Sequence, residues 1–390
     1  MRIITPMIVP IGIGLLLLVS QLLISVVPID PLVENYEESL SDEQVRTLEE
    51  LPASVKFSGR NGSTLSWALK AGNPSTWGLS DWGTGIALDS SGNVYVTGHF
   101  AGTATFGDIN LTSSESLDIF VAKLNSSGSW QWVVKAGGES GDNGREISVD
   151  SLGNVYVTGY FRDTASFGNI SLMSSGVYDI FIAKLDSSGS WQWAVKAGGR
   201  SQGIATNSYD FGMDTAVDLS GNSYATGYFQ GNSTFGDSIL RSNGGKDIFI
   251  AKLSSSGSWQ WAVKAGGSSD DSGIGIAVDS SGSTYVTGNF RDTASFGNIS
   301  LTASNEGEDF SDIFVAKLNS NGSWQWAVKA GGSSSDGGTG ISVDSSGNTY
   351  VTGAFRIRAS FGDINLIAYD GVGDYNDFFI AKLNSSGSWQ

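Results

Sequence analysis

Beyond residue 60 the chain reads as short apolar runs separated by turn chemistry, and the same succession of runs returns several times. In one copy, Ile276-Ala277-Val278 and Thr284-Tyr285-Val286-Thr287 are β-branched or aromatic runs, the composition of strands. Asp279-Ser280-Ser281-Gly282 joins them, where Asp bonds its own backbone and Gly supplies a positive φ. Ile313–Leu318 makes the next strand, and Asn319-Ser320-Asn321-Gly322-Ser323 turns the chain into the last, Trp324–Ala330. Between the second and third strands, Ala294–Leu301 is a variable arm with room for one more short strand. The pattern predicts four core strands per copy, antiparallel because only short turns link them.

The copies are countable. Trp130-Gln131-Trp132-Val133-Val134-Lys135-Ala136-Gly137-Gly138 returns as Trp191–Gly199, Trp259–Gly267 and Trp324–Gly332, with a variant at Leu65–Gly72. The second Trp falls at 67, 132, 193, 261 and 326, so the copies are 61 to 68 residues long. Tandem four-stranded antiparallel units suggest radial blades, an arrangement that protects sheet edges. The expected fold is therefore all-β, a β-propeller of about five repeats over residues 60–390. Trp130 and Trp132, two apart on a strand, share a face and pack between blades. The small Ala or Ser at 87, 148, 216, 277 and 342 suits a crowded strand near an axis. The chain ends at Trp389-Gln390, where the motif would continue. Two arrangements are open there: an array cut short, or a ring of five in which Leu65–Gly72 supplies the missing outer strand. The ring is the favoured expectation.

The first 59 residues lack the repeat. Residues 3–29 carry no charge, and Ile11–Val27 is almost wholly apolar, long enough to span a bilayer as a helix. Arg2 precedes it and Asp30, Glu34, Glu37 and Glu38 follow, which predicts the repeats outside the cell. Residues 1–29 thus read as a signal peptide or an uncleaved anchor, with membrane contact through residues 7–27. Residues 30–59 form an acidic stalk, in which Ser41-Asp42-Glu43-Gln44 fits a capping box opening a short helix to about Leu51.

Composition narrows the chemistry. With 22 Lys+Arg against 39 Asp+Glu the net charge is −17, which repels phosphate backbones and argues against a nucleic-acid partner. There is no cysteine, and His99 is the single histidine, so thiol chemistry and most metal or general-base schemes fall away. All six prolines precede residue 75, as expected if the rest is hydrogen-bonded strand.

Asp-x-x-Gly-Asn-x-Tyr-Val-Thr-Gly (Asp89–Gly98, Asp150–Gly159, Asp344–Gly353), followed by Asp-Ile-Phe-Val-Ala-Lys-Leu (Asp118–Leu124, Asp312–Leu318), resembles the beta-propeller repeat family known as SBBP. The resemblance covers about residues 65–390. It implies a propeller fold in an extracytoplasmic setting, and the family has no agreed activity or catalytic residues to carry over. Ser283 for Asn, Ala225 for Val and Phe378 for Ile are departures.

Candidate chemistry is sparse. Each copy carries Asp-x-Gly before the first hairpin, giving Asp81, Asp142, Asp210, Asp271 and Asp336. A ring of these carboxylates would concentrate negative potential for a cation such as calcium or for a basic ligand, and an Asx turn shaping the crossover is the plainer reading. Trp77 and Trp82 occur only in the first crossover and are candidates for an exposed contact. The Lys residues of Ala-Lys-Leu and Val-Lys-Ala read as snorkelling at strand edges. No catalytic triad, phosphate loop or zinc pattern occurs, so no cofactor and no enzyme activity are expected. The expected function is an extracytoplasmic scaffold binding proteins or surface polymers at its loop faces. The alternative is a lectin-like or carbohydrate-active propeller.

Overall fold

The computed structural model describes residues 15–16, 25–26, 54–58, 64–72, 81–200, 208–304, 310–369 and 375–390. The chain divides into two compact units, Met1–Val55 and Lys56–Gln390. The hydrophobic helix expected over Ile11–Val27 lies outside the described residues, except that Leu15–Leu16 and Ser25–Val26 form a two-residue antiparallel strand pair rather than helix. The stalk helix expected from Ser41 also lies outside them. Among the described residues no helix is long and apolar enough to cross a membrane.

Among the described residues of the second unit the chain is all-β and built from five repeats. Each opens on an inner strand: Trp82–Leu88, Asn143–Val149, Phe211–Val217, Ser272–Val278 and Gly337–Val343. Each inner strand pairs antiparallel with a second strand, and the second with a third such as Asp179–Leu185. The third pairs with an outer strand, Trp191–Gly198 in repeat 2. The fifth repeat shows three core strands, ending on Asp377–Leu383. Inner strands of successive repeats lie side by side in chain order.

Local chemistry explains the hairpins. In repeat 2, Asp150 Oδ1 accepts the N–H groups of Leu152 and Asn154 at 2.9 Å each, and Oδ2 accepts from Asn154 Nδ2 and Tyr156 Oη. Gly153 closes the turn at φ 78°. The Gly of Val-Thr-Gly answers to a different constraint. Every inner strand bulges opposite it, between Gly212 and Asp214 in repeat 3, and a Cβ at Gly227 would run into the Phe211 carbonyl oxygen.

Between repeats the core is apolar. Ile119 and Val121 of repeat 1 pack with Val155, Val157, Phe161 and Phe181 of repeat 2. The two tryptophans of each outer strand divide the work. Trp191 packs edge-on against Phe167 of its own repeat at 5.2 Å, whereas Trp193 Nε1 donates to Ser255 O of the next at 3.1 Å. The variable arm proves to be a hairpin that reaches back: Ala197 and Gly198 pair with Phe235 and Thr234 of the following repeat. Leu65–Gly72 behaves as an outer strand placed before repeat 1, since Gly72 bridges Thr105 and Trp67 Nε1 donates to Ser126 O.

Two expectations need correction. Thr64–Leu69 shares a sheet with Ser54–Ser58, not with Asp377–Leu383, so the strand exchange that would close a ring of five is not made. Accordingly Phe378 and Ile380 are 78% and 75% exposed, where Ile180 and Ile182 of repeat 2 are buried. The lysines are not simply snorkelling. Lys135, Lys196, Lys264 and Lys329 pair with the buried Asp118, Asp179, Asp247 and Asp312 at 2.7 to 3.3 Å. Lys123, Lys184, Lys252, Lys317 and Lys382 lie over Tyr rings at 4.7 to 5.4 Å.

Candidate functional site

The crossover aspartates are largely withdrawn from solvent. Asp142, Asp210, Asp271 and Asp336 are buried, and Asp81 is half-buried. Asp142 Oδ1 accepts Arg162 N–H at 3.1 Å and Oδ2 accepts Gly138 N–H at 2.8 Å. Asp271 holds Arg291 and Gly267, and Asp336 holds Arg356 and Gly332, in the same way. Each carboxylate thus latches the end of one repeat's outer strand to the second strand of the next repeat. Desolvation pushes Asp142, Asp210, Asp271 and Asp336 up to about 7, against the pull of those N–H groups. Among the described residues no cluster of three His, Cys, Asp or Glu side chains could hold a metal. Trp77 lies outside the described residues. Trp82 is 62% exposed and borders an apolar cavity of about 260 Å³ with Trp67, Leu69, Ile86, Phe100 and Trp130.

A second set of carboxylates went unseen in the sequence. The fourth inner-strand position is Gly85, Glu146, Asp214, Gly275 and Gly340 in the five repeats. The bulge beside it frees the following N–H from the ladder, and the two acids collect four of these. Glu146 accepts Ile147 N–H at 3.1 Å and also Ile86 N–H of repeat 1. Asp214 accepts Thr215 N–H at 2.6 Å and Ile276 N–H of repeat 4 at 2.7 Å. Desolvation raises Glu146, and it pushes Asp214, partly exposed at its surface but hemmed in by inner strands on both sides, up to about 8. Both acids are clasps between repeats.

The most individual surface is the rim where the inner strand begins. There five cross-strand pairs occupy equivalent places: Trp82 with His99, Asn143 with Tyr160, Phe211 with Tyr228, Ser272 with Asn289 and Gly337 with Ala354. The scaffold residues around them scarcely change, yet no two pairs are alike. Across the boundary of repeats 2 and 3, Tyr160 stacks on Phe211 at 3.9 Å and 9°. Tyr178 sits edge-on to both, and Phe211 tilts against Tyr228 at 5.1 Å. There the buried Asn143 side chain offers a hydrogen bond to the half-buried His99 ring. Burial lowers the pKa of His99, which keeps it neutral at pH 7.

The signal for this rim was present: the residue after Val-Thr-Gly or its equivalent runs His, Tyr, Tyr, Asn, Ala while its neighbours hold constant. What was missing was the pairing, which brings positions 17 residues apart, such as 82 and 99, side by side.

Comparison with known proteins agrees with this architecture. A curated uncharacterized WD repeat-containing protein, L264 of Acanthamoeba polyphaga mimivirus, is 23% identical over 346 residues, covering 71% of this chain and 25% of that protein. The regulatory protein FlaEY of Caulobacter vibrioides is 29% identical over 154 residues, 37% of this chain and 16% of that protein. The chain thus spans a quarter or less of the length of these relatives. The family model for the beta-propeller repeat SBBP matches at residues 78–99, 131–160 and 260–289, and the chain carries SBBP repeats at those three places.

Proposed function

We propose that the repeats are blades of a non-catalytic, extracytoplasmic propeller scaffold that binds a protein or a surface polymer. The observation that carries this reading is the rim: a constant frame presenting five different residue pairs on equivalent sites. Selection for folding alone would let every repeat use the same pair, because each pair sits on the same bulged strand. Half-buried rings beside the His99 and Asn143 side chains suit a ligand that is both flat and hydrogen-bonding. The acidic apolar-led leader, Arg2 before residues 11–27 and Asp30 after, supports placement outside the cell.

A lectin is the second reading, favoured by the stacked Tyr160 and Phe211, since sugar rings bind to aromatic groups through their apolar faces. The deciding experiment passes the full chain over immobilised cell-surface polymers and a surface-protein extract, with the Tyr160→Ala and Phe211→Ala variants beside it. Capture that both variants weaken, with no change in polymer chain length, is the expected result. Depolymerisation of a captured glycan, or capture indifferent to both variants, would overturn the scaffold reading.

A further inference from the structure

Within the rim, one residue breaks the pattern by charge. The bulged inner-strand residue is Thr84, Arg145, Met213, Ile274 and Thr339 in the five repeats. A bulge turns its extra residue out of the ladder and re-aims its side chain. None of the ten paired rim residues is charged at neutral pH, so Arg145 is a cation set into an uncharged ring. It is half-buried, and among the described residues it makes no ion pair. It stands near enough to His99, Tyr160 and Tyr228 for its charge to act on all three, adding to the effect of burial at His99 and opposing the larger effect of burial at the two tyrosines. Lys246 lies on the other side of this group, with Nζ 4.7 Å from the Tyr228 ring centre, while the Asp270 carboxylate nearby accepts Lys246 N–H. The Glu146 carboxylate next along the strand feels the charge of Arg145 but is taken up by the Ile147 and Ile86 N–H groups, which leaves the half-buried guanidinium without an ion pair among the described residues. The polar side chains of His99 and Asn143 lie on the same rim.

We infer that this part of the rim takes the negatively charged group of an acidic saccharide, with Arg145 as its principal partner, Lys246 as a second cation and the Tyr160–Phe211 stack under the sugar ring. This rests on the reading above that the rim binds a surface polymer, taken in its lectin form, and names the ligand class. Planar carboxylates and sulfates suit the guanidinium fork. The overall charge of −17 works against any anion at long range, so the contact is local, and moderate salt that screens the distant acidic surface should cost it little.

The test is calorimetric titration of the full chain with oligogalacturonate and with the same oligomer fully methyl-esterified, which keeps the sugar and removes the charge. Arg145→Met places in the bulge what repeat 3 already carries as Met213, and Lys246→Ser what repeat 4 carries as Ser311, so both variants should fold, as circular dichroism can verify. The free acid should bind, the ester about tenfold more weakly, and Arg145→Met should lose about tenfold toward the acid alone. Equal binding of acid and ester that Tyr160→Ala weakens would remove the anion contact and leave the scaffold reading standing. Binding of the acid unaffected by Arg145→Met, or binding of neither oligomer, would overturn the inference, and the polymer capture described above would still decide the scaffold reading separately.

Discussion

Asp210 offers the most direct test of how the repeats are joined. Its Oδ1 accepts the N–H of the half-buried Gln230 at 2.8 Å, and its Oδ2 accepts Gly199 N–H at 3.0 Å, Ser208 Oγ–H at 3.1 Å and Ser233 Oγ–H at 3.0 Å, these last three buried. Asp210→Ala leaves the buried Gly199 N–H and the half-buried Gln230 N–H without their acceptor, at roughly 1–3 kcal/mol each. The expected loss is therefore about 2–6 kcal/mol, a large part of the ~5–15 kcal/mol that holds a domain together. The pH dependence has a definite sign. Burial raises the folded carboxyl from 3.8 to about 7, so the folded state keeps the proton longer than the unfolded chain does. That contribution is complete below about pH 4 and is gone above about pH 7, so the cost of Asp210→Ala should be greater at pH 5 than at pH 8, by roughly 2–3 kcal/mol. Urea unfolding followed by tryptophan fluorescence at both pH values would measure this, provided the slope against denaturant is unchanged. A loss below about 1 kcal/mol, or a larger loss at pH 8 than at pH 5, would refute the latch.

Other positions give equally definite outcomes. Ile357 has φ 62° where repeats 1 and 3 have Gly102 and Gly231, so Ile357→Gly should stabilise by about 1 kcal/mol in the same unfolding assay, the relieved left-handed strain exceeding the entropy glycine adds. Gly227→Ala should instead cost at least about 3 kcal/mol, because the new methyl meets the Phe211 carbonyl, and soluble yield together with the melting midpoint would reveal it. Ile276 is 5% exposed and the equivalent Ile86 67%, so truncation to Ala should cost about 2–4 kcal/mol at Ile276 and under about 1 kcal/mol at Ile86, as a paired denaturation experiment would show.

Much of this protein is local, and local features are legible in a sequence. The strands were visible because apolar runs are bounded by Asp-x-x-Gly turns whose hydrogen bonds stay within a few residues, as at Asp150, Leu152 and Asn154. The repeat length, the antiparallel order and the positions of the crossover aspartates followed from the same regularity. Their chemistry did not. Asp142 reads alike as a ring carboxylate or a latch until the structure places Arg162 N–H, 20 residues on, against its Oδ1. Glu146 and Asp214 stand where the other repeats have glycine, and only the packing of neighbouring inner strands gives them Ile86 and Ile276 of other repeats to hold. The paired rim, the stacking of Tyr160 on Phe211 and the place of Arg145 beside them likewise depend on strands meeting across a hairpin or a repeat boundary. The reason is range: turn and strand preferences are set by neighbours along the chain, whereas the partners of a buried charge or an aromatic face are set by which distant residues the fold brings within a few ångströms.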